Sequence, residues 1–408
     1  MVVKSYFPSQ VVSDVEKMSY DYGLKVAKAI EAEWFHTDRG TNRYKTNHNN
    51  FHNLRLYARG EQSIQKYKDE LSINGDLSYL NLDWKPVPII PKFVDIVVNG
   101  IAERMYDVKA YSQDPNGVEK RTQYMESILT DMRTQEFNDF VGEAFGVDMY
   151  ENEKETLPGS QEELDLHMQL SYKQAVEIAE EQAINTLLEG NNYELTKKRF
   201  YYDLTVLGIG AVKTSFNTSQ GVIVDYVDPV NLVYSYTESP YFDDVYYVGE
   251  VKNIPINELV KQFPHLTPEE LEDIAKNKNY NKTNYNQGYS YSEEDNNKIQ
   301  VLYFNYKTYM NEVYKVKETG TGADKILPKD DTFNPPSEEN FGKLQRSIEC
   351  LYDGAIILGT DKLLRWEMAK NMMRPKSDFT KVKMNYAIVA PRMYKGRIES
   401  LVQRITGF

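Results

Sequence analysis

The chain has 408 residues, 41% of them hydrophobic and 27% charged; that is apolar material for two or three domain-sized cores and excludes a disordered chain. Its formal net charge of −13 excludes a protein that coats nucleic acid over its whole surface, because phosphate binding draws on clustered lysine and arginine. A single cysteine, Cys350, excludes an intrachain disulfide framework and a multi-cysteine zinc site, and fits synthesis in a reducing compartment.

Residues Ser9 to Phe35 read as one helix, with Val12, Val15, Met18, Tyr22, Val26 and Ile30 on a three- and four-residue rhythm and Ser13 as its cap. A polar loop is expected over His36–Asn50. A second helix is expected over Phe51–Leu71, broken at Gly60. Pro86, Pro88 and Pro91 precede a helix that starts at Pro91, where proline in a first turn costs no hydrogen bond, and its composition suggests a buried central helix.

From Glu119 to Asn192 the composition is helical, interrupted at Leu157-Pro158-Gly159, with a long helix over Ser160–Gly190 that stops at Gly190. Another helix, Leu195–Val206, leads into a bend at Gly208-Ile209-Gly210. Val222–Val251 then alternates valine and tyrosine as two strand patterns, punctuated at Asp228-Pro229 and Ser239-Pro240, where proline presets φ and cannot join a ladder.

Ile256–Lys276 reads as two short helices divided by Pro264 and Pro268, the second starting at Thr267. Asn277–Asn297 is a polar connector, Ile299–Val316 two strands around Tyr309–Asn311, and Gly320–Asn340 a polar loop. The segments IECLYDGAIILG and MNYAIVA are further strands, and the chain turns helical over Arg392–Ile405. The class is α+β, with long helices and two β-rich regions.

No apolar run approaches the ~20 residues that span a bilayer. The first twenty residues, with Lys4, Asp14, Glu16 and Lys17, hold no signal-peptide core. A soluble protein made in the cytoplasm, without a membrane partner, is expected. Thirty-two tyrosines against 16 phenylalanines suit sheet faces or partly wet protein contacts, since tyrosine pairs an apolar face with a polar tip. Charge is uneven: Lys362–Arg404 holds eleven lysines and arginines against three acids, +8 against −21 for the remainder, the mark of a polar assembly.

Motifs for chemistry are weak. Gly320-Thr321-Gly322-Ala323-Asp324-Lys325 lacks phosphate-loop spacing, and Gly208-Ile209-Gly210 suits close packing better than a nucleotide. His48 and His52 stand four apart, but Asn49, Asn50 and Phe51 separate them and no glutamate base is present. His36, His167 and His265 have no near partner in sequence, and Cys350 reads as a buried apolar residue. Asp225, Asp228, Asp243 and Asp244 read as turn aspartates; a metal-dependent nuclease would need them at one metal. No catalytic residue, metal ligand or cofactor is assigned, and no enzymatic activity is expected.

Four segments, YARGEQ (Tyr57–Gln62), LGIGAVK (Leu207–Lys213), DPVNLVYS (Asp228–Ser235) and APRMYKGRIESLV (Ala390–Val402), taken with Val222–Val251, resemble the portal protein of tailed bacteriophages, most closely portals of crAss-like phages. The resemblance extends along most of the chain, although portal motifs are loose patterns. It implies a ring, usually of twelve copies, at one capsid vertex, through which double-stranded DNA is packaged and ejected. Its implied partners are the major capsid protein, the terminase large subunit that supplies the ATPase, and the head-tail connector or tail; its location is the virion, after assembly in the host cytoplasm. It further implies a mainly helical wing part over 1–221, a β-rich wing region over 222–390 with 299–389 as an alternative clip, and the start of a stem helix over 391–408, with no counterpart of the remaining stem, clip or crown. Arg392, Lys395, Arg397 and Arg404 recur at roughly helical spacing and are the candidates for DNA-channel or capsid contact. The rival expectation from composition alone is another virion component such as a head-tail adaptor.

Overall fold

The computed structural model describes residues 6–36, 42–61, 63–72, 88–103, 108–111, 114–147, 149–153, 157–170, 172–217, 221–275, 298–318, 324–331, 333–334 and 341–406. Two serines divide the first helix that the sequence predicts. The Ser13 hydroxyl accepts from the Glu16 amide at 3.3 Å and starts α1 (Asp14–Lys17), and the Ser19 hydroxyl accepts from the Tyr22 amide at 3.3 Å and starts α2 (Tyr20–Phe35). The expected loop at His36–Asn50 is instead helical from Arg43. Asn42 accepts from the Lys45 amide at 2.6 Å and caps α3 (Arg43–Arg59), a start hidden by the polar first turns. Gly60, at φ +74°, ends α3 as expected, and α4 (Gln65–Leu71) follows.

Pro91 stands in the first turn of α5 (Ile90–Ala102) as the sequence predicts, but that helix is not buried all round. Val94 and Val98 face the core, while Phe93 and Ile96 are 58% and 68% exposed.

The chain divides into two compact units, residues 104–194 and the remainder. The helical unit contains α6 (Pro115–Phe145), α7 (Gln161–Leu170) and α8 (Ala175–Gly190). The helix expected over Ser160–Gly190 is therefore two, because the Gln174 amide donates to Glu177 at 3.1 Å in a capping box that starts α8 afresh. Ile128, Leu164 and Met168 form its small core, with Tyr124 stacked on Tyr172 at 4.4 Å and bonded to His167 at 3.1 Å.

In the other unit α9 (Tyr193–Val206) bends into β1 (Gly210–Asn217), followed by β2 (Gly221–Val227), a 3-10 turn at Pro229–Asn231, β3 (Leu232–Tyr234) and β4 (Tyr247–Pro255). Next come α10 (Ile256–Gln262) and α11 (268–275), the latter started by Thr267, whose hydroxyl accepts from the Glu270 amide at 3.3 Å. The strands β5 (Lys298–Glu318), β6 (Asp324–Lys329), β7 (Phe341–Ile357), β8 (Leu363–Met368) and β9 (Tyr386–Val389) precede a hairpin of β10 (Met393–Tyr394) and β11 (Arg397–Ile398), then α12 (Leu401–Thr406).

One sheet has the order β2-β1-β9 and the other β3-β4-β5-β7-β8 with β6 on β5, all pairs antiparallel. With 46% helix and 26% strand, the class is α+β. The two strand patterns of Val222–Val251 enter different sheets, because the Asp228 turn redirects the chain. Ile299–Val316 is one strand rather than two: β7 pairs with it from Val301 to Lys317 without a break, so Tyr309–Asn311 has no need to turn. The expected loop at Gly320–Asn340 contains β6, held by pairing with β5; most of Asn277–Asn297 lies outside the described residues.

The main core joins α2 to the large sheet. Trp34 is fully buried and its indole N–H is shared between the Tyr234 carbonyl at 3.1 Å and the Tyr247 hydroxyl at 3.0 Å. Phe7 stacks on Tyr247 and Tyr306, and Trp366 on Tyr352 at 4.8 Å. Lys17 is also buried; its ammonium donates to the Tyr309 carbonyl at 2.5 Å and sits 4.1 Å from that ring's centre. Cys350 is buried as expected, and burial pushes its thiol up to about 12. Trp34→Ala removes a buried ring and its shared hydrogen bond, so a loss of about 3–5 kcal/mol is expected in denaturant unfolding. A midpoint unchanged from wild type would remove Trp34 from the centre of the core.

Candidate functional site

The C-terminal segment is where the structure departs most from the sequence reading. Residues Arg392–Ile405 are not one helix. Lys395 (φ +47°) and Gly396 (φ +72°) both take the left-handed region, which makes a two-residue type I′ turn and pairs Met393 with Ile398 and Tyr394 with Arg397. Helix begins only at Leu401, after buried Ser400 accepts from the Gln403 amide at 2.9 Å. Strand alternation turns Met393 and Ile398 toward the core and leaves Arg392, Tyr394 and Arg397 on the outer side.

Arg392, Lys395, Arg397 and Arg404 are thus all exposed, on the hairpin and α12 rather than along a helix face. None of the four makes an ion pair with a described residue. The Lys395 ammonium lies 5.5 Å from the Tyr394 ring centre.

The hairpin is pressed against the α9–β1 corner. Gly208 has φ +79°, and a Cβ there would stand 2.7 Å from the Glu399 carbonyl oxygen; a Cβ at Gly396 would stand 2.8 Å from the Tyr236 ring. These glycines are packing glycines, as the sequence reading has it for Gly208. Buried Val402 fixes α12, which packs on α3.

Between α3 and the hairpin runs a groove of about 700 Å³. Phe51, Leu54, Tyr57, Leu207, Tyr234 and Ile398 give it an apolar lining, and Asn47, Asn50, Asn53, Gln403 and Arg397 supply amides and a single cation. Among the described residues no acid and no histidine lines it, so these residues supply no general base. It suits docking of a segment with apolar and hydrogen-bonding groups.

One wall of the groove is fixed by a cluster that sequence reasoning missed. Arg55 donates to both Asp228 oxygens, at 3.0 and 2.8 Å, and to Asp203 at 3.0 Å. Tyr226 donates a short hydrogen bond to the other Asp203 oxygen, and the Arg199 guanidinium lies 5.6 Å from the Tyr226 ring centre. Asp203 is 2% exposed. Burial raises it to about 6, against the opposing pull of Arg55 and the Tyr226 hydrogen bond. Burial and the paired acids push Tyr226 well above the usual phenol range, and the two carboxylates raise Arg55 against its own desolvation. No local motif joins Arg55, Asp203 and Tyr226; only Asp228 carried a signal, as the residue before a proline.

The other sequence candidates are spent separately. Asp228 accepts from the Val230 amide at 3.0 Å, the turn role expected of it, besides holding Arg55. Asp244 accepts from Thr237 and from the Glu238 amide, while Asp243 and Asp225 are exposed, the latter opposite Lys213 in the β1–β2 register. No group of three His, Cys, Asp or Glu side chains suited to a metal forms among the described residues. His48 and His52 do share the α3 face; burial, with His52 next, lowers His48. The Gly320–Lys325 segment lies mostly outside the described residues.

No protein-family model and no curated protein matches this chain.

Because native Asp203 titrates at about 6 against an ordinary 3.8, the folded state binds the extra proton. Its contribution to stability is present below pH 4 and is lost as pH rises to 6, a fall of about 3 kcal/mol. Asp203→Asn is expected to flatten that part of the stability–pH curve, measured by urea unfolding at pH 4 to 7. An unchanged slope would place the titration elsewhere.

Proposed function

We propose that this chain is a subunit of a phage portal, a ring at one capsid vertex that passes double-stranded DNA inward during packaging and outward during ejection. The observation that supports the reading is convergence. Four segments, far apart in sequence, carry the resemblance, and all four meet at one groove: Tyr57 from the first, Leu207 from the second, Tyr234 from the third, and Gly396, Arg397 and Ile398 from the fourth. The Gly208–Glu399 approach joins the second and fourth segments, and Arg55, two residues before the first, reaches Asp228 of the third.

In this reading the chain performs no bond-breaking step, and the terminase partner supplies the ATPase. The virion is its final location, with the major capsid protein and the connector or tail as further partners. The alternative that gives 299–389 to the clip is supported by the long β5–β7 ribbon, which outruns its sheet. Arg392, Lys395, Arg397 and Arg404 remain the proposed channel or capsid contacts, now as a cationic hairpin and helix end. Loose, exposed cations suit a channel, since many fixed phosphate contacts would resist translocation.

Native mass spectrometry of the purified chain is expected to give a closed assembly of about twelve copies, consistent with the preference of oligomers for closed symmetry. A stable monomer or dimer would overturn the ring. Charge reversal at the four cations is expected to lower the yield of DNA-filled heads while leaving the fold intact; unchanged packaging and head assembly would remove them from the channel and the capsid joint.

A further inference from the structure

The helical unit carries the whole of the chain's net charge. Residues 104–194 hold 20 acids against seven lysines and arginines, a net −13, while the other 317 residues balance at 41 of each sign. Such a surface attracts a cationic partner.

Its longest helix, α6, is also inverted toward its C-terminal end. Phe137, Phe140, Val141, Ala144 and Phe145 follow the i, i+3, i+4, i+7, i+8 spacing of a core-facing side. Yet Phe137, Phe140 and Phe145 are 59%, 64% and 74% exposed. The chain that follows returns along the polar side instead. Asp131 accepts from the Glu151 and Asn152 amides at 3.3 and 3.0 Å, the Tyr150 hydroxyl donates to Asp139 at 2.7 Å, and Asp131 and Asn138 are buried. Exposed Glu136 and Glu143 flank the phenylalanine stripe without an ion pair to a described residue, and Arg133 stands at its N-terminal end. The three rings leave about 300–500 Å² uncovered. That is about half of the ~800 Å² each partner gives to a standard interface, so a contact built on it gains most from a closed ring, where every copy is held twice.

A complementary surface exists in the other unit. The loop 369–384 has five lysines and arginines and one acid, a net +4. It is tightly fixed: the Arg374 guanidinium donates to the Phe379 and Glu349 carbonyls at 2.8 and 2.9 Å, and the Glu349 carboxylate accepts from the Val382 amide at 2.9 Å. Met372 and Met384 pack beneath it on Leu351, Ala369 and Val382. Phe379 is nevertheless 70% exposed. A ring held outward by a fixed loop is a preorganised anchor, with little ordering left to cost on binding. Lys376 and Lys381 have partners of their own, whereas exposed Lys370 and Lys383 make no ion pair with a described residue.

Two α6 stripes laid on each other would set Glu136 and Glu143 against the same acids, which like-charge repulsion disfavours. Joining the two unlike patches in successive copies brings opposite charges together, and a contact of that heterologous kind is what closes a ring. We propose that the phenylalanine face of α6 in one copy receives the Phe379 loop of the next, with Glu136 and Glu143 facing Lys370 and Lys383. The inference rests on the portal reading for the closed ring and names the contact that builds it.

The test is a charge exchange in the full chain, read by sedimentation velocity over a range of concentrations. E136K/E143K and K370E/K383E, all at exposed positions, are each expected to weaken self-association by about tenfold. The variant with all four substitutions is expected to recover the wild-type assembly. Oxidation of F140C/F379C is expected to give a ladder of cross-linked copies that neither F140C nor F379C gives alone; the native Cys350 is buried. Charge variants that assemble like wild type overturn the proposal, as does a four-substitution variant that stays dissociated. So does F140C cross-linking by itself, or a cross-link confined to one chain. A wild-type ring indifferent to the charge variants removes this contact and leaves the portal reading. An open assembly that the charge variants dissolve and the exchange restores keeps the contact and removes the ring.

Discussion

Arg55 is the constraint on which the groove and its surroundings depend. A guanidinium on α3 holds two carboxylates from different parts of the chain, Asp228 in the turn that redirects the chain between sheets and Asp203 on the last full turn of α9. Asp203 is the buried member of the cluster, while Arg55 and Asp228 keep part of their side chains in solvent, so loss of Arg55 strands Asp203 more than Asp228. Asp203 shows how finely the cluster is balanced: two hydrogen bonds and a cation favour its charge, yet burial still raises it. The cluster acts as a joint that fixes the register of α3 against the sheets, and the hairpin at Lys395-Gly396 closes against the corner next to it.

A second theme is how one strand serves two environments. The first half of β5 lies inside a five-strand path, where Val301, Leu302, Phe304 and Tyr306 are buried; the second half pairs with β7 and, from Val313, with β6, and α1 reaches it through Lys17 at the Tyr309 carbonyl and Asp14 at the Asn311 amide. Side-chain choice follows this change: aromatic and branched residues fill the five-strand stretch, while Lys315 and Lys317 enter near the end of the strand. The tyrosine excess has a related cause. Tyr247 and Tyr306 place rings in the core and use their hydroxyls as partners for Trp34 and Gln10, a role phenylalanine cannot fill.

Much of the fold was legible where the physical signal is local. Proline in the first turn of α5, Gly60 as a left-handed stop, Thr267 as a cap and the β-branched runs each act within a few residues. What failed was set by partners distant in sequence. Nothing near Tyr309 tells a strand to continue; β7 does, some forty residues later. The Arg392–Ile405 segment has helical spacing of its cations, but Lys395-Gly396 adopts a tight turn, with Gly396 packed closely against the Tyr236 ring. The four cations are exposed, but not along one helix face. Arg55, Asp203 and Tyr226 were invisible for the same reason, as each is ordinary until folding brings it to the others.

Fold and function meet in the placement of positive charge. An acidic chain carries a cationic C-terminal hairpin and helix end, and a ring would repeat it around its axis. The most direct measurement is a cryo-electron microscopy reconstruction of the purified assembly. A portal subunit requires a closed ring with a central hole wide enough for duplex DNA and with this cationic surface facing that hole or the capsid joint. An open filament or a closed particle without a channel would contradict the account.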